Sequence, residues 1–178
     1  MSHIIFNVFC VVLVLLVSYL LGCFNGSVVI SHFIIKDDVR SHGSGNAGLT
    51  NFYRTFGGPL TAVVILTDVL KAVAALLAAR WLSGFYQPGF GVDAPAVDPV
   101  LLKMVFQYWA GLFCLLGHMF PCMFHFKGGK GIAASSGVIV ALGYWPLILL
   151  GFCTFMIVTI ISRYVSLGSL VMMTGFLV

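Results

Sequence analysis

The sequence predicts an all-α integral membrane protein: a polytopic helical bundle of about six helical pieces, with its N-terminus outside. Three observations lead there. First, 61% of the residues are hydrophobic and 8% are charged, against roughly 25% charged in soluble domains. Such a chain cannot cover a surface in water, and its mean hydropathy is +1.11. Second, the apolar residues fall into runs near the ~20 residues that cross a bilayer. Third, the few charges collect in the gaps between those runs. The whole chain, 1–178, reads as one membrane domain.

The elements follow in order. Ile4 to about Phe24 is the first span. No Lys or Arg precedes it and the run is long, so it is not a secretory signal. Ser27 to Ile35 is a short second piece or the end of the first helix. Lys36, Asp37, Asp38, Arg40 and His42 then lead into a Ser-, Gly- and Asn-rich stretch ending at Arg54. Such residues favour turns, and the stretch reads as a connecting loop. Pro59 to Ala79 is the next span. It carries Asp68 and Lys71 at i, i+3, where they can meet on one face. Trp81 to Pro99 reads as a loop and Leu101 to Gly117 as a third span, broken by Gly117-His118-Met-Phe-Pro121 because Pro cannot continue the helix hydrogen bonds. Ile132 to about Gly143 is a short fourth span rich in small residues, which permit close helix contact. Tyr144 to about Ile161 is a fifth. Ser162 to Ser169 is a polar turn, and Leu170 to Val178 begins a sixth span.

Charge sorts the two sides. With the first loop inside, that face holds Lys36, Arg40, Arg54, Lys127, Lys130 and Arg163, and the other holds Arg80 and Lys103. The positive-inside rule then puts three polar segments in the cytoplasm together.

Those segments suit anions. Phe126-Lys-Gly-Gly-Lys-Gly131 combines two point charges with glycines. Glycine admits positive φ and close approach, successive N–H groups in such turns cradle anions, and lysine suits phosphate. A short helix beginning there aims its N-terminal dipole at whatever the loop holds. Arg54 adds a planar fork for phosphate or carboxylate. Taken singly, each loop also fits a plain solvated connection or a basic loop that orients its helices. The convergence of three favours a phosphate site.

Several chemistries are excluded. The lysine loop is not a nucleotide-binding P-loop, because Gly131 and not Ser or Thr follows Lys130. There is no Gly-x-Ser-x-Gly elbow. His42 and His118 lack an aspartate four or five positions on, and the chain has no Glu. The five cysteines form no CxxC pair, so no metal site is indicated. With a net charge of +4 and no polybasic tail, nucleic acid is not an expected partner. A site with many anion binders and few general bases works by positioning and charge stabilisation. It suits a donor already activated, such as an acyl phosphate.

Gly43-Ser-Gly-Asn-Ala-Gly-Leu-Thr-Asn-Phe-Tyr-Arg54, Asp68-Val-Leu-Lys71, Gly117-His-Met-Phe-Pro121, the Phe126–Gly131 loop and Ser166-Leu-Gly-Ser169 stand in the order found in the bacterial acyl-phosphate:glycerol-3-phosphate acyltransferases, the PlsY family. The chain resembles that family over nearly its whole length. The resemblance implies a multi-pass enzyme of the bacterial cytoplasmic (inner) membrane, with its site facing the cytoplasm. It implies transfer of a fatty acyl group from acyl phosphate to the 1-position of glycerol 3-phosphate, the first step of phospholipid synthesis, giving lysophosphatidic acid and phosphate. No cofactor or metal is implied; the partners are the two substrates and the lipid bilayer.

By that resemblance Ser44, Arg54, Lys127 and Lys130 are the catalytic set. Gly45, Asn46, Gly48, Thr50, Asn51, Gly128, Gly129 and Gly131 line the phosphate-binding loops. Ser166, in preference to Ser169, matches a later serine of the site. Asp68, Lys71 and His118 match supporting positions. The glycine usual after the lysine of Asp-x-x-Lys is Ala72 here. The family's third motif, a His, an Asn, an Arg and a Glu near the C-terminus, has no counterpart. Either the sequence is cut short, or the protein lacks part of the acceptor site and the last of its relatives' seven helices.

Two other functions compete. A carrier of phosphate or organophosphate would also want basic loops and broken helices, though it would place its charges towards mid-membrane. A scaffold binding anionic headgroups would depend on charge number and little on the glycines.

Overall fold

The computed structural model describes residues 2–87 and 98–175. They form eight α-helices: α1 (Ser2–Cys23), α2 (Gly26–Ile30), α3 (Leu49–Phe56), α4 (Leu60–Leu82), α5 (Pro99–Met119), α6 (Ile132–Leu142), α7 (Trp145–Ser162) and α8 (Val165–Gly175). Four helical stretches are long and apolar enough to cross a membrane: His3–Cys23, Leu60–Phe85, Pro99–Phe124 and Trp145–Ser162. Large apolar side chains such as Phe9, Leu66, Leu77, Leu101 and Trp109 face outward, as lipid requires. The chain is an all-helical, multi-pass membrane protein.

The helix count exceeds the expected six because two short pieces are distinct. Asn25 breaks the chain after α1 and caps α2, its Oδ1 accepting from Val28 N–H at 3.2 Å. Residues Leu49–Phe56, expected as loop, form α3, because Phe52 and Leu49 pack into a core with Val28, Val39, Ala47 and Val64. Two boundaries also move. α5 runs through His118 and stops only ahead of Pro121. α8 begins at Val165, so Ser166 and Ser169 lie on a helix; the turn is only Arg163 and Tyr164, with Arg163 left-handed at φ 60°. The expected loop from Trp81 to Pro99 falls largely on residues outside those described.

The described chain divides into two units, residues 1–141 and 142–178. In the first, α1 and α5 run the same way and α4 runs against them. At one end, Asn7 of α1 exchanges hydrogen bonds of 2.8 and 3.0 Å with the backbone of Gln87, just beyond α4. At the other end, the Tyr19 hydroxyl donates to Phe120 O at 2.8 Å. Glycine sets the helix crossings: a Cβ on Gly22 would strike the Cys114 backbone, one on Gly117 the Tyr19 carbonyl, and one on Gly137 of α6 the Val69 carbonyl of α4. In the second unit, α8 turns back along α7, and Gly168 admits the Phe155 and Thr159 surface.

Candidate active site

The first polar segment is held by its own side chains. Asn25 Nδ2 donates to Ala47 O at 3.0 Å. Asp38 caps the turn Val39–Ser41, accepting from Arg40 N–H at 2.9 Å, and pairs with the Arg40 guanidinium at 2.8 Å. That guanidinium holds the Asp38 carboxyl below the usual carboxylate range. A hydrogen bond from His42, at 2.8 Å, does the same for Asp37. Arg40 also reaches across: its Nη1 donates to Phe124 O at 3.1 Å, at the start of the lysine–glycine segment. Asn51 is buried and acts entirely on backbone. It accepts from Ser44 N–H at 2.9 Å and donates to Val39 O and His42 O at 2.8 and 3.0 Å.

The second segment is built on the end of α5. After Pro121, His125 and Phe126 take left-handed conformations at φ 57° and 59°, and Phe126 N–H donates back to Pro121 O at 3.0 Å. Gly128 N–H and Gly129 N–H then donate to Met119 O and His118 O at 3.2 and 3.1 Å. This explains the glycines. Only Gly131 has positive φ, at 82°. Gly128 and Gly129 serve close approach to the protein's own chain: a Cβ on Gly128 would strike His118 O, and one on Gly129 would strike His118 Nε2 and lie 2.9 Å from Ala47 O. The two polar loops therefore meet at Gly129 and Ala47. Beyond Gly131, α6 makes its first hydrogen bond from Ser135 N–H to Gly131 O at 2.7 Å. The amides of Ile132, Ala133 and Ala134 precede it and lie where a helix N-terminus attracts anions.

Beneath both loops lies a buried ionic cluster. Lys71 Nζ donates to Asp68 Oδ1 at 2.7 Å and to Phe24 O at 2.8 Å, and lies 2.7 Å from His118 Nδ1. An ionisable residue at the centre of a spanning helix costs about 2.5–3.5 kcal/mol on insertion scales. Pairing inside the bundle offsets part of that. The i, i+3 contact expected from spacing is present, and His118 joins it.

Of the expected site residues, Ser44, Gly45, Arg54, Lys127 and Lys130 are exposed; Asn46, Gly48, Thr50 and Gly128 are half-buried; Asn51, Gly129 and Gly131 are buried. The side chains of Ser44, Arg54, Lys127 and Lys130 have no hydrogen-bond or ion-pair partner among the described residues. The first unit brings these loops to one end. Ser166 and Ser169 belong to the second unit, Ser166 exposed on the first turn of α8 and Ser169 buried with its hydroxyl on Val165 O at 2.7 Å. Asn25 and Arg40 hold the loops in place, a part that the sequence reading missed. Asn-Gly directly after an apolar run, and an Asp two residues before an Arg, were the available signals. Among the described residues no group of three His, Cys, Asp or Glu is placed to hold a metal.

Comparison with known proteins bears on this arrangement. The profile of the family described as Glycerol-3-phosphate acyltransferase matches residues 12–178. The chain belongs to that family. It is 38% identical over 159 residues to a glycerol-3-phosphate acyltransferase of Mycoplasmopsis agalactiae, covering 89% of this chain and 62% of that protein. It is 36% identical over 162 residues to one from Staphylococcus aureus strain Newman, covering 90% of this chain and 74% of that one. Its fold matches a crystal structure of PlsY (YgiH), an integral membrane glycerol 3-phosphate acyltransferase, in its glycerol 3-phosphate form, with TM-score 0.72 and 33% identity. That match covers 91% of this chain and 72% of PlsY. The lysophosphatidic acid form of PlsY matches with TM-score 0.71 and 32% identity, over 93% and 72%.

Proposed function

We propose that this protein transfers a fatty acyl group from acyl phosphate to the 1-position of glycerol 3-phosphate, releasing lysophosphatidic acid and phosphate. The observation that carries the reading is the likeness, at 33% identity across 91% of the chain, to a PlsY captured with glycerol 3-phosphate. The meeting of two anion-friendly loops at Gly129 and Ala47 supports it from this chain's own residues.

In this reading Lys127, Lys130, the amides opening α6 and the Ser44 hydroxyl hold the phosphate of the acyl donor. Arg54, whose guanidinium can bind oxyanions through two N–H groups, holds the acceptor's phosphate. Gly45, Asn46, Gly48 and Thr50 shape the first loop around it, and Asn51 fixes that loop's backbone. The 1-hydroxyl oxygen attacks the acyl carbon, a C–O ester bond forms, and the acyl–phosphate bond breaks with its electron pair leaving on phosphate. The hydroxyl proton passes to a substrate phosphate oxygen. Catalysis then comes from holding two anions together and neutralising charge on the leaving phosphate. The whole chain acts as one domain. By the distribution of Lys and Arg, the loop end faces the cytoplasm of a bacterial inner membrane, with the N-terminus on the other side.

The test is Arg54→Ala. It is expected to stay in the membrane and lose most turnover; normal turnover would remove Arg54 from the site and with it this assignment.

A further inference from the structure

The buried cluster and the two loops form a closed ring of contacts. Lys71 Nζ donates to Phe24 O. The next residue, Asn25, donates through Nδ2 to Ala47 O, inside the first loop. Ala47 O abuts Gly129, where an added Cβ would lie 2.9 Å away. Gly129 N–H donates to His118 O at 3.1 Å. His118 Nδ1 returns to Lys71 Nζ at 2.7 Å. An ammonium has three N–H donors and no acceptor. Phe24 O, Asp68 Oδ1 and His118 Nδ1 are three acceptors, so Lys71 is fully engaged. His118 Nδ1 must accept in this contact, which is shorter than its 3.5 Å separation from Asp68 Oδ1. The other ring nitrogen, Nε2, faces Gly129.

We propose that Lys71 is a positioning residue that sets the register of the Ser44–Asn51 loop against the lysine–glycine loop, acting through Asn25 on one side and His118 on the other. It touches no substrate. Its effect is to fix at one height the two backbones that face the anions, so it governs both phosphate subsites together. A plain structural ion pair would stabilise α4 and α5 without linking the loops. The ring argues for more, because it runs through the backbone of both loops, at Ala47 and at Gly129.

The test reads amide hydrogen exchange in the intact protein in lipid, at residues 43–48 and 127–131. One variant is Asn25→Ser. Serine can still cap α2 but is too short to reach Ala47 O, and no buried charge is disturbed. Although Asn25 touches only the first loop, exchange is expected to rise about tenfold in both segments, as local opening free energies fall together. A second variant removes both charges, Asp68→Asn with Lys71→Met, so that no lone buried ion remains. It is expected to speed exchange in both loops while α4 and α5 stay protected. Exchange confined to residues 43–48 in Asn25→Ser, or spread along α4 and α5 with quiet loops in the double variant, would overturn the proposal. Kinetics add a readout that rests on the acyl-transfer reading: KM for both phosphate substrates rises together in each variant, with a smaller change in kcat. Turnover by the wild type with unchanged KM values in both variants would sink the register role and leave the function standing. Absence of wild-type turnover would sink the function, while the exchange data would still decide the register role.

Discussion

Replacing Gly128 with alanine tests the lysine–glycine loop most sharply. The added methyl would meet His118 O, sit 2.6 Å from Pro121 Cδ and 2.7 Å from Met119 O, distances that real Cβ atoms essentially never show. Two of these three are backbone oxygens that already accept from Gly128 and Gly129 N–H, and the third belongs to a proline ring, so none can swing away. The loop must lift and lose both hydrogen bonds. At about 0.5–1.5 kcal/mol net each, that is about 1–3 kcal/mol, in line with the cost of overpacking a close-packed site. Expressed at the phosphate subsite, this weakens substrate binding by about 5- to 150-fold, since 1.4 kcal/mol is tenfold. The assay is KM for acyl phosphate in purified protein in lipid. Gly84→Ala serves as the control, because its Cβ would meet nothing within 4 Å. A wild-type KM in Gly128→Ala would refute the idea that this glycine seats the loop. It would favour a surface that merely counts positive charges.

Other outcomes follow from the first loop. Asn51→Ala removes one acceptor and two donations that tie Ser44, Val39 and His42 together. It should destabilise the loop by about 1–3 kcal/mol, seen as accelerated proteolysis there and a fall in kcat/KM; an unaltered digestion pattern would contradict it. Asp38 titrates below the usual carboxylate range because Arg40 holds its charged form. The stability it adds is therefore fully present above about pH 3.9, the ordinary value, and is lost as pH falls through the lowered one. The gap in melting temperature between wild type and Asp38→Asn should be constant at higher pH and close on acidification below that range. A gap that persists into strong acid would show that charge is not its source.

Much of the fold was legible because membrane helices announce themselves through length and composition. The runs from Ile4, Pro59, Leu101 and Tyr144 all contain spanning helices. What the sequence hid was short structure fixed by tertiary contact. α3 is polar enough to read as a loop, and it is helical because Phe52 is fully buried against Val28 and Val64. α8 begins early because a single left-handed Arg163 suffices for the turn. At the site, the residue types were readable but their division of labour was not. Asn51 resembles a ligand group in sequence, and its side chain is engaged with loop backbone instead. Gly128 and Gly129 suggest positive φ, and that conformation falls on His125, Phe126 and Gly131. The pairing of Asp68 with Lys71 followed from helical spacing, whereas the arrival of His118 from α5 required the fold.

The most direct test of the account is acyl transfer by the purified chain in lipid, supplied with acyl phosphate and labelled glycerol 3-phosphate, with acyl-CoA as a parallel donor. Labelled lysophosphatidate formed from acyl phosphate and not from acyl-CoA is the predicted result. Product from acyl-CoA alone, or labelled glycerol 3-phosphate bound and carried across the bilayer without acylation, would contradict it.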